Sequence, residues 1–415
     1  MEIRTVSVDP KSARITIGLC FLVSVLEGFD IQALGVVAPW LAPQLGISSG
    51  QLGAVFSSNG VGIVLGATAG GVLADRLGRR SLLAISVLLF GVFTLAMTLA
   101  NSFETLVLLR GLAGLGMGAA ISVMAALAAE VSRPERRASA VTMIFCGMPA
   151  GAVLASLYAG SIGVGANWRE IFVVGGVATL ALVPLLFRFI KVPFKRPSAD
   201  EFSTGIIGTF FANGRARSTI LIWLAFFSFT LNIYLLLNWL PMLAVSKGLA
   251  PTVGAHASLT FSIGCIVGTL AIGRLVDRYG YRKIIPIACV LLIASIVGLG
   301  ISRNMIPVLI FSGLSAFFLL GSSYSMFSVA ASLYPQEVRA TGTGGAISIG
   351  RVGSILGPAL AGYLLAGNSD PTAVFTVLAG FALLAGTSTL ILGSTASKPI
   401  IPVGPADHDL ERVPL

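Results

Sequence analysis

A ten-residue pattern occurs twice in this chain at one fixed offset. The first copy runs Gly71-Val72-Leu73-Ala74-Asp75-Arg76-Leu77-Gly78-Arg79-Arg80. The second runs Gly273-Arg274-Leu275-Val276-Asp277-Arg278-Tyr279-Gly280-Tyr281-Arg282, and both read G-x-x-x-D-R-x-G-x-R. The copies lie 202 residues apart, and Arg137-Ala138 recurs at that same offset as Arg339-Ala340. Three anchors at one spacing identify a duplicated unit that makes up half the chain. Whatever one half folds into, the other must fold into as well.

Composition decides what that unit is. Hydrophobic residues make up 55% of the chain and charged residues 11%, with a mean hydropathy of +0.93. A soluble domain carries about 25% charged residues, so this chain cannot clothe a water-facing surface. Twelve apolar stretches of roughly 18 to 25 residues are each long enough to cross the hydrocarbon core as a helix. They begin near Ile15, Leu52, Ser81, Glu104, Ala138, Glu170, Ser218, Gly254, Lys283, Asn304, Thr341 and Thr372. Within lipid every backbone group must be satisfied inside its own segment, so stretches of this length are helices. The expected fold is an all-α membrane protein of twelve spans, in two six-helix bundles related by a pseudo-two-fold axis. The expected division is a cytoplasmic N-terminal segment (1–14), a first bundle (15–190), a cytoplasmic linker (191–217), a second bundle (218–394) and a cytoplasmic tail (395–415).

Lysine and arginine fix the expected orientation. Placing the N-terminus inside puts 22 of the 27 basic residues in cytoplasmic segments and leaves only Arg169, Lys247 and Arg303 outside. Basic residues are retained on the cytoplasmic side, so both termini are expected there, in an inner (plasma) membrane. The formal charge of +10 is thus a topology signal. Its residues sit in short loops, with no basic soluble domain to hold a nucleic acid.

Several other classes fall away. The first span carries Glu27 and Asp30 and no small-residue cleavage site, so it is expected to be retained and not removed as a signal peptide. Cys20, Cys146, Cys265 and Cys289 lie inside spans without ligand spacing and read as plain thiols. With His256 and His408 they make no metal site, and no cofactor is expected. No nucleophile–base pair or nucleotide loop marks an enzyme. The linker stretch 202–211 reads either as a short amphipathic surface helix or as a plain tether, and the tail from Ser397 is expected to be disordered.

The doubled loop, the twelve spans and the basic middle loop together resemble the major facilitator superfamily over essentially all of residues 12–395. Finer features resemble its aromatic acid:proton symporter family. These are Glu27-Gly28-Phe29-Asp30 in the first span, where that family usually has D-G-F-D, and Asn238-Trp239-Leu240-Pro241 closing the seventh. Others are Tyr334-Pro335-Gln336-Glu337-Val338-Arg339-Ala340-Thr341-Gly342, Gly350-Arg351-Val352-Gly353 and Gly357-Pro358. Ile17-Gly18-Leu19-Cys20-Phe21-Leu22 before Glu27 looks most like the hydroxyphenylpropionate-type members. Glu27 departs from the commoner Asp, keeping the charge on a longer arm. The resemblance implies a proton-coupled carrier, expected to act as a monomer in the lipid bilayer. It would import a small aromatic carboxylate (hydroxyphenylpropionate, hydroxybenzoate or a related acid) by alternating access.

The signature loops read as gates. Gly71 and Gly78 allow a tight turn and close helix approach. Asp75 is placed to pair with Arg76, Arg79 or Arg80 and to cap the neighbouring helix, and Asp277, Arg278 and Arg282 repeat the arrangement. Glu130, Pro134 and Arg137 after the fourth span are expected in the same latch, as are Tyr334, Pro335 and Arg339 after the tenth. The competing reading is a static turn with positive-inside anchors.

Residues matched across the duplication serve what the halves share, whereas unmatched ones are free to specialise. Glu27, Asp30, Arg110 and Arg351 lie well inside spans, and their mates 202 residues away are Phe229, Asn232, Ser312 and Pro149. Each buried charge costs at least about 2.5–3.5 kcal/mol on insertion scales. Glu27 and Asp30, three apart, share a helical face, and two carboxylates that close resist simultaneous ionisation. That suits a site loading a proton outside and releasing it inside, with either residue alternatively a permanently paired structural group. Arg110 precedes a run of glycines that lets its helix pack closely and reach those carboxylates, for proton coupling, gating or a structural ion pair. Arg351, near the midplane, suits a bidentate grip on a substrate carboxylate. The rest of the pocket is expected from Asn232, Tyr234, Asn238 and Trp239, with Ser323 and Tyr324, each alternatively a helix-packing group. A drug:proton antiporter of the same fold is the alternative. Such antiporters carry G-P-x-x-G-G in the fifth span, where this chain has Gly147-Met148-Pro149-Ala150-Gly151.

Overall fold

The computed structural model describes residues 10–132, 137–162, 167–190, 210–211, 215–334, 339–367 and 370–395. Several expectations fall outside these residues: the first nine residues, nearly all of the linker with its proposed surface helix, the tail, and Pro134 and Pro335. The side chains of Asp75 and Arg137 also lie outside the description.

Among the described residues, thirteen α-helices of at least nine residues make twelve apolar spans. The first half holds α1 (Pro10–Leu45), α2 (Ser49–Leu77), α3 (Arg79–Ala96), α4 (Phe103–Val131), α5 (Arg137–Phe145), α6 (Gly147–Ile162) and α7 (Arg169–Phe189). The second holds α8 (Ala216–Val245), α9 (Pro251–Tyr279), α10 (Tyr281–Ile301), α11 (Met305–Leu333), α12 (Arg339–Gly367) and α13 (Thr372–Thr395). The extra helix comes from the fifth span, which breaks into α5 and α6 at Cys146. Pro149 has no N–H to return to the Phe145 carbonyl, so the ladder is interrupted there.

The 202-residue offset is visible in the backbone. Gly78 and Gly280 end α2 and α9 with φ of 81° and 84°, and Gly46 and Gly248 follow α1 and α8 with φ of 64° and 82°. Only glycine takes these left-handed values without strain. Helix contacts repeat in register too. A Cβ on Gly62 would overlap the Gly111 carbonyl oxygen, and one on Gly264 would overlap that of Gly313. Gly66 meets the Leu115 carbonyl as Gly268 meets that of Phe317, and Gly151 meets Val25 as Gly353 meets Phe227. Small residues that let backbones touch are the main attraction between helices in lipid, where apolar burial supplies little.

One signature glycine behaves differently from expectation. Gly71 and Gly273 lie inside α2 and α9 with open space where a Cβ would go. They serve neither turn nor close approach in this conformation; the turns are made by Gly78 and Gly280.

The halves join at the end remote from the signature loops. There α1 meets α8, with Gly35 against the Leu237 and Asn238 carbonyls, and α2 meets α12, with Gly53 against Pro358 and Gly362. The third contact sets Gly160 of α6 under the His256 ring of α9. Ser57 Oγ donates across this junction to the Ile355 carbonyl at 2.7 Å, and Phe56 sits edge-on to Trp239 at 5.5 Å. Every glycine contact that crosses between halves among the described residues lies in this part of the molecule.

Candidate functional site

α1 carries two carboxylates one turn apart, and the structure treats them differently. Asp30 is sealed inside the first half, 1% exposed. Arg110 of α4 donates through Nη1 to Asp30 Oδ2 and through Nη2 to the Asp30 carbonyl at 3.0 Å. Thr94 of α3 donates to Asp30 Oδ1 at 2.8 Å. Two neighbouring helices, α3 and α4, therefore satisfy both carboxylate oxygens. Gly114 and Gly118 bring α4 close to α2 and not to α1, so Arg110 reaches Asp30 by the length of its own side chain. Thr94 was not evident from sequence, because a neutral hydroxyl in an apolar span carries no signal until its partner is known.

Glu27 is fully buried, yet neither carboxylate oxygen has a hydrogen-bond partner. The charges acting on it are Arg351, from α12 in the other half, and Asp30. Arg351 is half-buried and donates to the Tyr234 hydroxyl of α8 at 3.4 Å. The Tyr324 side chain of α11 lies near Arg351, Tyr234, Cys265 and Cys146. Cys146, at the break between α5 and α6, is the exposed cysteine of the four. Glu27, Arg351, Tyr234 and Tyr324 thus gather about the seam between the halves, with Cys146 in the same region.

The remaining pocket candidates lie elsewhere. Trp239 is fully buried at the junction of the halves, its indole N–H donating to the Pro358 carbonyl at 3.0 Å. Asn238 returns its amide to the Tyr234 carbonyl of its own helix at 2.7 Å. Asn232 is fully buried with both amide atoms unpartnered. At about 100° per residue it points nearly opposite to Tyr234, into the second half. There it occupies the place that Asp30 holds in the first.

Near the signature loops the two halves differ. Arg79 forms an ion pair with Glu130, joining the start of α3 to the end of α4. The mates of these residues are Tyr281 and Ser332, so the symmetric charge latch expected from the repeat is not built this way in both halves. In the second half Tyr334 donates its hydroxyl to Thr219 Oγ1 at 3.1 Å, and Arg339 Nε donates to the Tyr334 carbonyl at 3.5 Å. Arg80 donates to the Phe187 carbonyl. Arg278 and Arg282 lie over the Tyr279 and Tyr281 rings at 5.3 and 6.0 Å. Arg76 and Asp277 are exposed, and no described side chain bonds to Asp277. It therefore does not cap α10, whose first position follows Gly280.

The sequence model of the Major Facilitator Superfamily matches residues 20–332 and 222–408. The chain is 38% identical to the 3-(3-hydroxy-phenyl)propionate transporter of Escherichia coli (strain K12), covering 96% of this chain and 98% of that protein. It is 32% identical to a 4-hydroxybenzoate transporter of Pseudomonas putida, covering 90% and 91%. Among solved structures, a D-xylose-proton symporter superposes with a TM-score of 0.76 at 14% identity, covering 91% of this chain and 97% of that one. That last likeness concerns the fold.

Proposed function

Because this chain belongs to the major facilitator superfamily, we propose that it is a proton-coupled importer of a small aromatic carboxylate, working by alternating access in the inner membrane. Hydroxyphenylpropionate, hydroxybenzoate or a related acid is the expected cargo, in keeping with the named activities of its relatives. Both termini face the cytoplasm in this reading, which follows the distribution of Lys and Arg.

The observation that carries the proposal is a buried carboxyl with no hydrogen-bond donor, Glu27, near but not bonded to a cation from the opposite half, Arg351. A buried carboxylate with no hydrogen bond is costly, so Glu27 is suited to take and give a proton. A guanidinium is a bidentate partner for a carboxylate. When Glu27 is protonated, Arg351 is free for the substrate anion; when the proton leaves, Glu27 competes for the same cation. Proton and substrate are then linked through one arginine, and the two groups come from different halves. Asp30 and Arg110 support this from behind as a fixed pair that positions α1.

Uptake of radiolabelled 3-(3-hydroxyphenyl)propionate and 4-hydroxybenzoate into cells expressing the chain tests the reading. Accumulation of at least one acid above the external level, abolished by an uncoupler and by Arg351→Ala, is expected. Accumulation indifferent to the uncoupler would remove proton coupling. Energy-dependent efflux of organic cations instead would favour the antiporter alternative.

A further inference from the structure

Three aromatic rings of the second half stand in mutual contact. Phe226 of α8 meets Phe327 of α11 edge-on, with centroids 5.1 Å apart and planes at 84°. Tyr324 stacks on Phe327 at 6.0 Å and 24°. Phe226 is buried, but Tyr324 and Phe327 leave 41% and 38% of their surface open.

That open surface faces the seam. Phe327 packs on Phe226 of α8, the helix that meets α1 of the other half, so both rings lie on the inner side of α11. Phe226 is anchored to the same place: the space beside Gly350, the neighbour of Arg351, is bounded by the Phe226 Cβ at 3.6 Å. Depth agrees as well. At 1.5 Å per residue, Phe327 lies about 9 Å from the signature end of α11, and Arg351 about 18 Å from that end of α12. The rings therefore lie between the signature end and the arginine.

We propose that Phe327 and Tyr324, backed by Phe226, form a shelf that reads the ring of the substrate while Arg351 holds its carboxylate. This rests on the aromatic-acid reading above and adds what selects the ring. Aromatic pairs gain from the ring quadrupole beyond the area they bury. A saturated ring of similar width covers the same surface without that gain. Selection at this shelf is thus for unsaturation, not bulk, and it resides on α8 and α11 of the second half.

The test compares 3-phenylpropionate with 3-cyclohexylpropionate, by calorimetric binding to the purified full-length protein. The wild type is expected to prefer the phenyl acid by about three- to tenfold. Phe327→Leu and Tyr324→Leu should bring the two acids near parity, chiefly by weakening the phenyl acid, and Tyr324→Phe should retain the preference. Equal wild-type affinities, or a preference that survives in both leucine variants, would overturn the shelf. A wild type that binds neither acid would overturn the shelf, and would overturn the aromatic-acid reading as well if 4-hydroxybenzoate and 3-(3-hydroxyphenyl)propionate also fail to bind. Cys146 supplies a readout that needs no variant, since the other three cysteines are buried. N-ethylmaleimide should alkylate it several-fold more slowly with the phenyl acid present than with the cyclohexyl acid at equal concentration. Equal protection by the two acids would count against the shelf.

Discussion

Arg110 grips Asp30 twice, at its carboxylate through one guanidinium nitrogen and at its own main-chain carbonyl through the other. Such a pair leaves a buried charge stranded when either member is removed, at about 3–5 kcal/mol. Asp30→Asn and Arg110→Gln are each expected to lower thermal stability in detergent, and Asp30→Asn with Arg110→Gln should recover much of the loss. Additive losses in the double variant would show that the pair is not energetically coupled.

Glu27→Gln keeps the shape of the side chain and removes its titration. Accumulation against a gradient should be lost while exchange of preloaded for external substrate continues. Glu27→Asp should retain coupling, since it restores the residue common in the resembling family. Uncoupler-sensitive accumulation by Glu27→Gln would move the proton site elsewhere.

At Arg351, lysine keeps the charge but not the planar fork. Arg351→Lys should weaken binding about tenfold or more, in the range of a charge-assisted hydrogen bond, and Arg351→Ala should nearly abolish it. The amide of the same substrate should bind wild type poorly and lose little more in Arg351→Ala. Equal proportional losses for acid and amide would make Arg351 structural.

The register of the repeat predicts matched and unmatched glycines. Gly62→Ala and Gly264→Ala should each destabilise by about 1–3 kcal/mol, the usual cost of overpacking, because both would force a Cβ into a facing carbonyl. Gly71→Ala and Gly273→Ala meet open space and should leave melting temperature nearly unchanged. Any defect they cause should appear in transport rate alone.

Lys247 lies outside the spans, donating to the Leu299 carbonyl and standing 4.4 Å from the Phe375 ring centroid. Both contacts favour its charge, but burial outweighs them and, with Arg303 nearby, lowers its pKa to about 8. Between that value and the ordinary lysine range the unfolded chain binds the proton and the folded chain does not. Stability should therefore rise with pH across that window. Lys247→Gln should remove this rise, as melting temperatures from pH 7 to 10 would show.

The spans, the duplication and the turn glycines were legible because each is a local pattern: hydropathy, spacing and a backbone value only glycine tolerates. Arg110 and Asp30 were legible as unmatched charges, but which of the two carboxylates is bonded depends on Thr94 from a third helix. Asn232 and Trp239 looked like pocket residues because polar and aromatic groups are sparse in spans. Helical phase turns Asn232 away from Tyr234, and the Pro358 carbonyl holds Trp239 at the junction of the halves. The break at Cys146 could be anticipated from Pro149, but not that it would set a thiol in the region of Tyr324.

The junction of α2 with α12 has a mechanical consequence. Gly53 and Gly362 meet backbone to backbone, and the Ser57 hydroxyl donates to a backbone carbonyl beside them, so there is no bulky side chain to swing aside and no charge to neutralise. A door of this kind has no hinge pin of its own; it parts only when whole helices are levered from the opposite end. Its opening should thus be insensitive to salt. Bulk added at the junction should hold the door ajar and favour the conformer open on that face.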